Sequence, residues 1–312
     1  MMRRGLSYRS LMIITLFIGL FLLPFGVSYY ILHILVMIGL WGMLILGLNL
    51  VGSMGYISIC HGAFYGIGAY VASLLTLKTD MPFALNLIGG SASAGIASLL
   101  IGYPAFRVRG HYFAIITLAF GLIISLVFHN WSDVTNGDRG LSDIMGPIMD
   151  PMHYYYFTVF IVLAVILVTH KILYSRFGRK LRAIRSDENL AEQIGVKTFQ
   201  TKLLAFLMSA VIAGLAGGMM AHYTNYIHPD LFSFANSFSM VMGMIVGGIG
   251  TTSGALSGGG VAIGLPEILR FTADARYIVM GIVLVLVMLF MPSGIAGTFY
   301  LYGREKKGPE GC

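Results

Sequence analysis

Residues 176–202, RFGRKLRAIRSDENLAEQIGVKTFQTK, form the only long polar stretch in a chain of 312 residues that is otherwise almost entirely apolar. The stretch carries seven of the twenty lysine and arginine residues and lies between two apolar runs, 154–168 and 203–220. A segment this charged has to remain in water, whereas its apolar neighbours belong in hydrocarbon. The pattern therefore predicts a loop at one face of a membrane.

The composition extends that prediction to the whole chain. Hydrophobic residues make up 57% of it and charged residues 11%, which is about half the charged fraction usual for soluble domains. Runs of about 20 apolar residues recur from end to end. The predicted fold is an all-α integral membrane protein, a polytopic helical bundle that forms one domain over residues 1–312. The net charge of +7 does not indicate nucleic acid, because the basic residues fall in loops between spans.

Apolar runs between charges and turn residues predict about ten membrane spans, some of them broken or re-entrant. They cover residues 11–27, 30–50, 56–77, 84–103, 112–128, 154–170, 203–223, 238–255, 256–269 and 277–291. The ninth is short and rich in glycine, so it is either a full crossing or a re-entrant helix. The string V-G-x-x-G occurs at 51–55 and again at 246–250. It indicates similar helix breaks in two halves of the bundle, unless its repetition is a coincidence in a glycine-rich chain.

The distribution of basic residues orients these spans. With the N-terminus inside, sixteen of the twenty lysines and arginines fall in cytoplasmic segments, as the preference of positive loops for the cytoplasm requires. Both termini and a loop over residues 174–202, called the docking loop below, are therefore predicted to be cytoplasmic. The loop 130–152 holds four aspartates and one arginine and is predicted to face outward.

Several functions are disfavoured by missing motifs. The chain has no G-x-x-x-x-G-K-[ST] phosphate loop and no H-E-x-x-H, and its eight histidines and two cysteines show no metal-binding spacing. We therefore expect no catalytic residues, no metal, no cofactor and no ATPase site of its own, so any coupling to ATP requires a partner. Proton- or sodium-driven carriers commonly use chains of charged residues inside their spans. Their absence weakens the interpretation as an ion-coupled carrier.

A few polar groups do fall within predicted spans, where each is costly. They are Asn49, His61 and Glu267. His61 opens a glycine-rich stretch, HGAFYGIGAYVASLL over 61–75, whose small residues favour either tight helix packing or a path lined by interrupted helices. For His61 itself, a hydrogen-bonded structural role and a role in such a path both stay open.

A short helix is predicted inside the docking loop. Ser186 is the expected N-cap, and Asp187 and Glu188 follow in the first turn, where acidic side chains favour the positive end of a helix. Gly195 marks the expected end, because glycine readily adopts the backbone conformation that terminates helices. A loop that only fixed topology would not need a capped helix.

At these residues the chain resembles the membrane subunits of bacterial ABC importers, whose coupling helix carries a loose E-A-A-x-x-x-G pattern. Only Ala191 and Gly195 match it here. Similarity to the branched-chain amino-acid permease family extends along nearly the whole chain. It is carried by GYISICHGAFYGIGAYVASLL (55–75), RVRGHYFAIITLAFG (107–121), LRAIRSDENLAEQIGV (181–196), KLLAFLMSAVIAGLAGGMMAHY (202–223), VGGIGTTSGALSGGG (246–260) and MLFMPSGIAG (288–297). The second of these, followed by NWSDVTNGDRGLSDI (130–144), resembles the larger of the family's two permease subunits.

The resemblance implies a permease subunit of an ATP-driven importer in the bacterial inner membrane. Its implied partners are a second homologous permease, two cytoplasmic ATPases, an extracytoplasmic binding protein that delivers leucine, isoleucine or valine, and the surrounding lipid. On this hypothesis Ala191, Glu192 and Gly195 couple to the ATPase, and Ser58, His61 and Gly62 lie near the translocation path. Alternatives are a related permease for urea, amides or other amino acids, an ion-coupled secondary carrier, and a membrane enzyme or scaffold.

Overall fold

Long apolar helices make up most of the chain. The structure, a computed structural model, describes residues 24, 26–79, 81–108, 110–148 and 150–268, with residues 281, 282, 285, 286, 289–291 and 294. The helices in chain order are α1 (Tyr29–Gly52), α2 (His61–Lys78), α3 (Phe83–Ala105), α4 (His111–Asn130), α5 (Ser132–Thr135), α6 (Pro151–Tyr174), α7 (Arg176–Ser186), α8 (Glu188–Gln193), α9 (Thr198–Thr224), α10 (Phe234–Gly247) and α11 (Thr252–Ile268). Two short 3-10 helices are Gly137–Arg139 and Pro229–Phe232, and two strands, β1 (Leu141–Ser142) and β2 (Tyr226–Ile227), form an antiparallel ribbon.

The predicted all-α membrane fold is confirmed in kind. Within the part of the chain that the structure describes, six helical segments are long and apolar enough to cross a bilayer: α1, α3, α4, α6, α9, and Pro229–Gly247, which includes α10. The helices α2 and α11 correspond to two further predicted spans but are not among these six. The first predicted span, 11–27, lies outside the described residues apart from a few at its end, and the last, 277–291, is described only at scattered positions. The predicted number of about ten spans therefore stays a prediction.

Glycines allow the central helices to approach closely. A Cβ at Gly68 of α2 would overlap the backbone of Gly214 in α9, and a Cβ at Gly217 would overlap the carbonyl of Tyr65. Helices in a membrane associate through such close van der Waals contact. For these glycines the packing interpretation is sufficient. The long helix α9 packs against α1, α2 and α3, while α1 also packs against α6, α10 and α11.

Helix ends that the predicted topology assigns to the same side of the membrane lie close together in the structure. At one end, called the docking end, Tyr56 from the segment after α1 and Lys202 from the start of α9 meet α8. At the opposite end, called the ribbon end, Leu141 pairs with Ile227 in the β-ribbon. Segments predicted to share one side of the membrane therefore lie together.

Two predicted boundaries are wrong. The span predicted from residue 56 begins as a helix only at His61, because residues 53–60 take an irregular path in which Gly55 has a φ of +83°. The division predicted between residues 255 and 256 lies at 248–251 instead, where Gly248 and Gly250 have φ values of +114° and +85°. Positive φ is readily accessible to glycine and ends a helix, so the turn forms there.

Candidate functional site

The basic half of the docking loop forms α7, which bends sharply back over the end of α6. The Ser175 hydroxyl accepts hydrogen bonds from the backbone N–H groups of Phe177, at 3.0 Å, and Gly178, at 3.4 Å. A Cβ at Gly178 would overlap the Leu173 carbonyl, so the bend requires glycine. Leu181 and Ile184 are buried. The outward face of α7 carries four exposed arginines and a lysine: Arg176, Arg179, Lys180, Arg182 and Arg185. This amphipathic helix was not predicted as a separate element.

The short helix predicted inside the docking loop is confirmed as α8, with a different N-cap. Ser186 is the last residue of α7, and its hydroxyl donates back to the Arg182 carbonyl at 3.2 Å. Asp187 takes the capping position and accepts from the backbone N–H groups of Asn189, at 2.8 Å, and Leu190, at 3.0 Å. The prediction of Ser186 as the cap is therefore wrong, because Ser186 belongs to α7, a helix that was not predicted.

The end of α8 lies where Gly195 predicts it. Gly195 has a φ of +85°. Its N–H donates to the Glu192 carbonyl at 2.9 Å, and the N–H of Val196 donates to the Ala191 carbonyl at 3.0 Å. These two bonds form the Schellman arrangement that satisfies the last carbonyls of a helix. The chain then turns directly into α9.

The three predicted coupling residues lie on different faces of α8. Ala191 is buried, whereas Glu192 and Gly195 are exposed. A carboxylate oxygen of Glu192 accepts a hydrogen bond from the Thr198 hydroxyl at 2.5 Å. Ala191 thus fixes α8 to the bundle, and the other two residues lie at the surface.

Two apolar side chains stand exposed on the outer face of α8. Leu190 is 58% exposed and Ile194 is 70% exposed, and their spacing of four residues places them on one side of the helix. Beside them an open depression of about 510 Å³ is lined by Glu192, Gly195 and residues 196–200. Exposed apolar side chains beside a strongly basic helix give the docking end the chemistry of a contact surface for another protein.

Beneath this surface lies an ion pair that the sequence interpretation missed. The Lys202 ammonium donates to one carboxylate oxygen of Glu188 at 2.5 Å, and the Tyr56 hydroxyl donates to the other at 2.7 Å. Lys202 also lies 3.3 Å from the Tyr56 hydroxyl. The side chain of Lys202 is 2% exposed and that of Glu188 is 15% exposed. Counting charges had assigned both residues to a solvated loop.

Aromatic rings enclose the ion pair. The Lys202 nitrogen lies 5.1 Å from the ring centroid of Tyr56 and 5.5 Å from that of Phe106, close enough for cation–π attraction. Phe106 stacks on Phe113 with centroids 4.7 Å apart, and both rings contact Phe206 of α9. The charges are therefore held in an apolar setting with little water around them.

The residues predicted near a translocation path lie together at the start of α2. Ser58 and His61 are fully buried, and Gly62 is also buried. The N–H of Gly62 donates to the Ser237 hydroxyl at 3.0 Å, and a Cβ at Gly62 would overlap that hydroxyl. Gly62 thus joins α2 to α10. In this conformation all three residues are packed against their neighbours.

His61 is held by a short chain of hydrogen bonds. Its Nε2 lies 2.6 Å from the Ser209 hydroxyl, which donates its hydrogen to the Gly47 carbonyl at 2.6 Å. Because Ser209 has one hydrogen, we assign the proton of the neutral imidazole to Nε2. The structural role proposed for His61 is therefore supported: it connects α2, α9 and α1.

Asn49 connects the two V-G-x-x-G breaks. Its side-chain amide donates to the Thr251 carbonyl at 2.8 Å, and its carbonyl oxygen accepts from the N–H of Gly250 at 2.6 Å. Both groups belong to the turn between α10 and α11, and the Thr251 carbonyl also accepts from the Ala255 N–H at 3.3 Å. The repeated motif therefore marks two helix breaks that are in contact. The sequence identified Asn49 as costly but gave no partner for it.

The ribbon end carries exposed charges. His129 Nε2 lies 3.3 Å from a carboxylate oxygen of Asp230 and 3.9 Å from one of Asp138, and both aspartates are largely exposed. Among the described residues, no group of three His, Cys, Asp or Glu side chains is arranged to hold a metal ion.

Comparison with known proteins gives matches along most of the chain. A family model described as "Branched-chain amino acid transport system / permease component" matches residues 30–288. The chain is 29% identical over 302 residues to LivM of Escherichia coli (strain K12), a high-affinity branched-chain amino acid transport system permease protein, covering 87% of this chain and 71% of that protein. The chain is also 28% identical over 271 residues to LivH of Escherichia coli (strain K12), another high-affinity branched-chain amino acid transport system permease protein. This alignment covers 79% of this chain and 87% of LivH. No solved structure matches the chain.

Proposed function

Because the chain belongs to the family of branched-chain amino acid transport permeases, we propose that it forms the translocation path of an ATP-driven importer for leucine, isoleucine and valine. Coupling to an ATPase is supported by α8. This helix at the docking end has defined N- and C-terminal caps, and Leu190 and Ile194 are exposed beside it. The sequence contains no phosphate loop, so a partner supplies the ATPase activity.

The docking end has the features that a groove on an ATPase would contact. Leu190 and Ile194 offer apolar anchors, and the basic face of α7 offers charge to an acidic partner surface. Glu192 and Gly195 lie at the edge of this contact, and Ala191 holds α8 against the bundle. On this proposal the docking end faces the cytoplasm, as the positive charge of α7 favours.

The remaining partners are proposed from the relatives. LivM and LivH are two different permease proteins, and the alignment with LivM covers more of this chain. We place the chain in the position of the larger permease, with a LivH-like permease beside it and two ATPases below. A binding protein that delivers the amino acid would dock at the ribbon end.

A path for the amino acid is proposed beside residues 53–60. Irregular backbone at membrane depth occurs where protein buries it or where it lines a cavity. The segment leads from the docking end to Ser58, His61 and Gly62. Asn49, in the last turn of α1 just before the segment, hydrogen-bonds the break after α10. Alternating access would open this packed region between the two breaks.

Purification of the tagged chain in mild detergent from its native host, followed by mass spectrometry, tests the assembly. We expect a second permease and two copies of an ATPase to co-purify. A chain that is isolated alone, or only as a homo-oligomer, would contradict the proposal.

A further inference from the structure

Resting on the proposed importer function, we infer that Glu188, Lys202 and Tyr56 form a rigid joint that carries movement of α8 into the membrane core. These three residues are called the joint below. It is distinct from the exposed surface of α8, because it lies underneath that surface and would not touch an ATPase. Its role is to position the helices that the docking surface moves.

The joint connects three separate parts of the chain. Glu188 is the first residue of α8, Lys202 lies in the second turn of α9, and Tyr56 belongs to the irregular segment 53–60 that leads into α2. One carboxylate binds both other residues, through different oxygens, at 2.5 Å and 2.7 Å. Any displacement of the first turn of α8 therefore acts on α9 and on this segment together.

The two glutamates of α8 show why Glu188 has this role. Glu192 is exposed and accepts its hydrogen bond from the uncharged Thr198 hydroxyl, only six residues along the chain. Glu188 points inward to an ammonium that is almost fully buried. Removing one member of a buried, hydrogen-bonded ion pair leaves the other charge uncompensated, which is far more costly than losing an exposed pair. The contact between Glu188 and Lys202 is therefore expected to remain intact when α8 moves. A contact that transmits movement from α8 to α9 must have this property.

The position of Tyr56 links the joint to the proposed path. His61 lies five positions after Tyr56 in the sequence, and Ser58 lies between them. The ring of Tyr56 also contacts Phe106 and Phe113 edge to face, so its movement is coupled to the ends of α3 and α4. Movement of α8 would thus change the start of α2 without direct contact between α8 and α2.

The experiment uses the whole assembly, purified with its co-purifying partners and reconstituted into liposomes. Uptake of radiolabelled leucine and hydrolysis of ATP are measured in the same vesicles with the native host's binding protein present. The variants are Glu188→Gln, Lys202→Met, Tyr56→Phe and the charge swap of Glu188→Lys with Lys202→Glu. Lys171→Met, which removes an exposed lysine in the last turn of α6, is the matched control.

We expect Glu188→Gln and Lys202→Met to retain ATP hydrolysis while leucine taken up per ATP falls about tenfold, because one buried charge loses its partner. Tyr56→Phe should give a smaller loss, the charge swap a partial recovery, and Lys171→Met no change. If every variant that assembles takes up the normal amount of leucine per ATP, the inferred role of the joint is wrong. A lower yield of the assembled complex would not change that conclusion. If the single variants do not assemble, normal uptake per ATP in both Tyr56→Phe and the charge swap overturns the inferred role. Absence of ATP-driven uptake in the wild type would refute the proposed function itself, and the joint with it.

Discussion

Each end of the molecule places a basic side chain beside a carboxylate, but the two pairs differ in exposure. At the docking end, Lys202 and Glu188 are 2% and 15% exposed. At the ribbon end, His129 and Asp230 are 29% and 74% exposed. Water and salt weaken the second pair and hardly reach the first. The docking end is thus built around charges that compensate each other away from water, whereas the carboxylates of the ribbon end are largely in contact with water.

The largest expected effect separates the two ends directly. Lys202→Met, which removes the charge and keeps the length of the side chain, leaves Glu188 without its cation and should lower the free energy of unfolding by about 3–5 kcal/mol. Asp230→Asn, the matched change at the ribbon end, should lower it by less than about 1 kcal/mol. Thermal unfolding in detergent, followed through the reaction of Cys60 with a thiol reagent in a Cys312→Ser background, measures both. Equal effects of the two substitutions would show that burial does not distinguish the ends.

A second change tests the contact between the two helix breaks. Asn49→Ala removes the partner of the Gly250 N–H and one of the two donors to the Thr251 carbonyl, which also accepts from the Ala255 N–H. The unpaired Gly250 N–H should lower the free energy of unfolding by about 1–3 kcal/mol. The turn at 248–251 should then be cleaved faster by a protease added from the docking end. Unchanged cleavage and stability would mean that α10 and α11 hold this turn without Asn49.

Gly195 allows backbone strain to be separated from docking. A Cβ there meets no other atom within 4 Å, but its φ is +85°, so Gly195→Ala should cost about 1 kcal/mol of stability through strain alone. Gly195→Asn, which tolerates this conformation better, is the control and should cost less. Gly195→Glu should resemble Gly195→Ala in stability but uncouple ATP hydrolysis from uptake, because it adds a bulky charge to the contact surface. Normal uptake with Gly195→Glu would remove Gly195 from the coupling surface.

The smallest effect is expected at the start of α6. A hydrogen bond from His153 is the main cause of the lowered pKa of Asp150, which also caps α6 by accepting from the N–H of Met152 at 3.4 Å. Because the pKa is lower in the folded protein, this stabilisation is present above the unfolded pKa and is lost as the pH falls through the folded value, below about pH 4. Thermal unfolding of the wild type and of Asp150→Asn should differ slightly at neutral pH and converge in acid. A difference that grew with acidification would contradict this account.

Much of the fold could be predicted because hydrocarbon restricts the chain. A long apolar run can satisfy its backbone in a bilayer only as a helix or a closed barrel, and α1, α3, α4, α6 and α9 lie close to the predicted runs. Gly195 was a reliable end signal because positive φ favours glycine. Ser186 was not a reliable cap, because Asp187 beside it can do the same and α7 extends to Ser186.

The remaining errors come from interactions between distant segments. Glycines occur before, within and after the turn at 248–251. The sequence alone could not show which of these glycines would end a helix. In the structure Gly243 and Gly247 of α10 pack against Gly258 and Gly254 of α11, so those glycines remain inside helices. Lys202 and Glu188 are fourteen residues apart, and no local pattern joins them. Their contact depends on the turn between α8 and α9.

The most direct test of the central claim is the energy source for leucine uptake by the reconstituted assembly. Labelling first establishes on which side of the vesicle membrane the docking end lies. One set of vesicles then receives ATP on that side, a second set receives ATP on the other side, and a third set receives an ion gradient without ATP. The account predicts uptake only with ATP at the docking end and binding protein at the ribbon end. Uptake by this chain alone, driven by an ion gradient and unaffected by ATP, would contradict it.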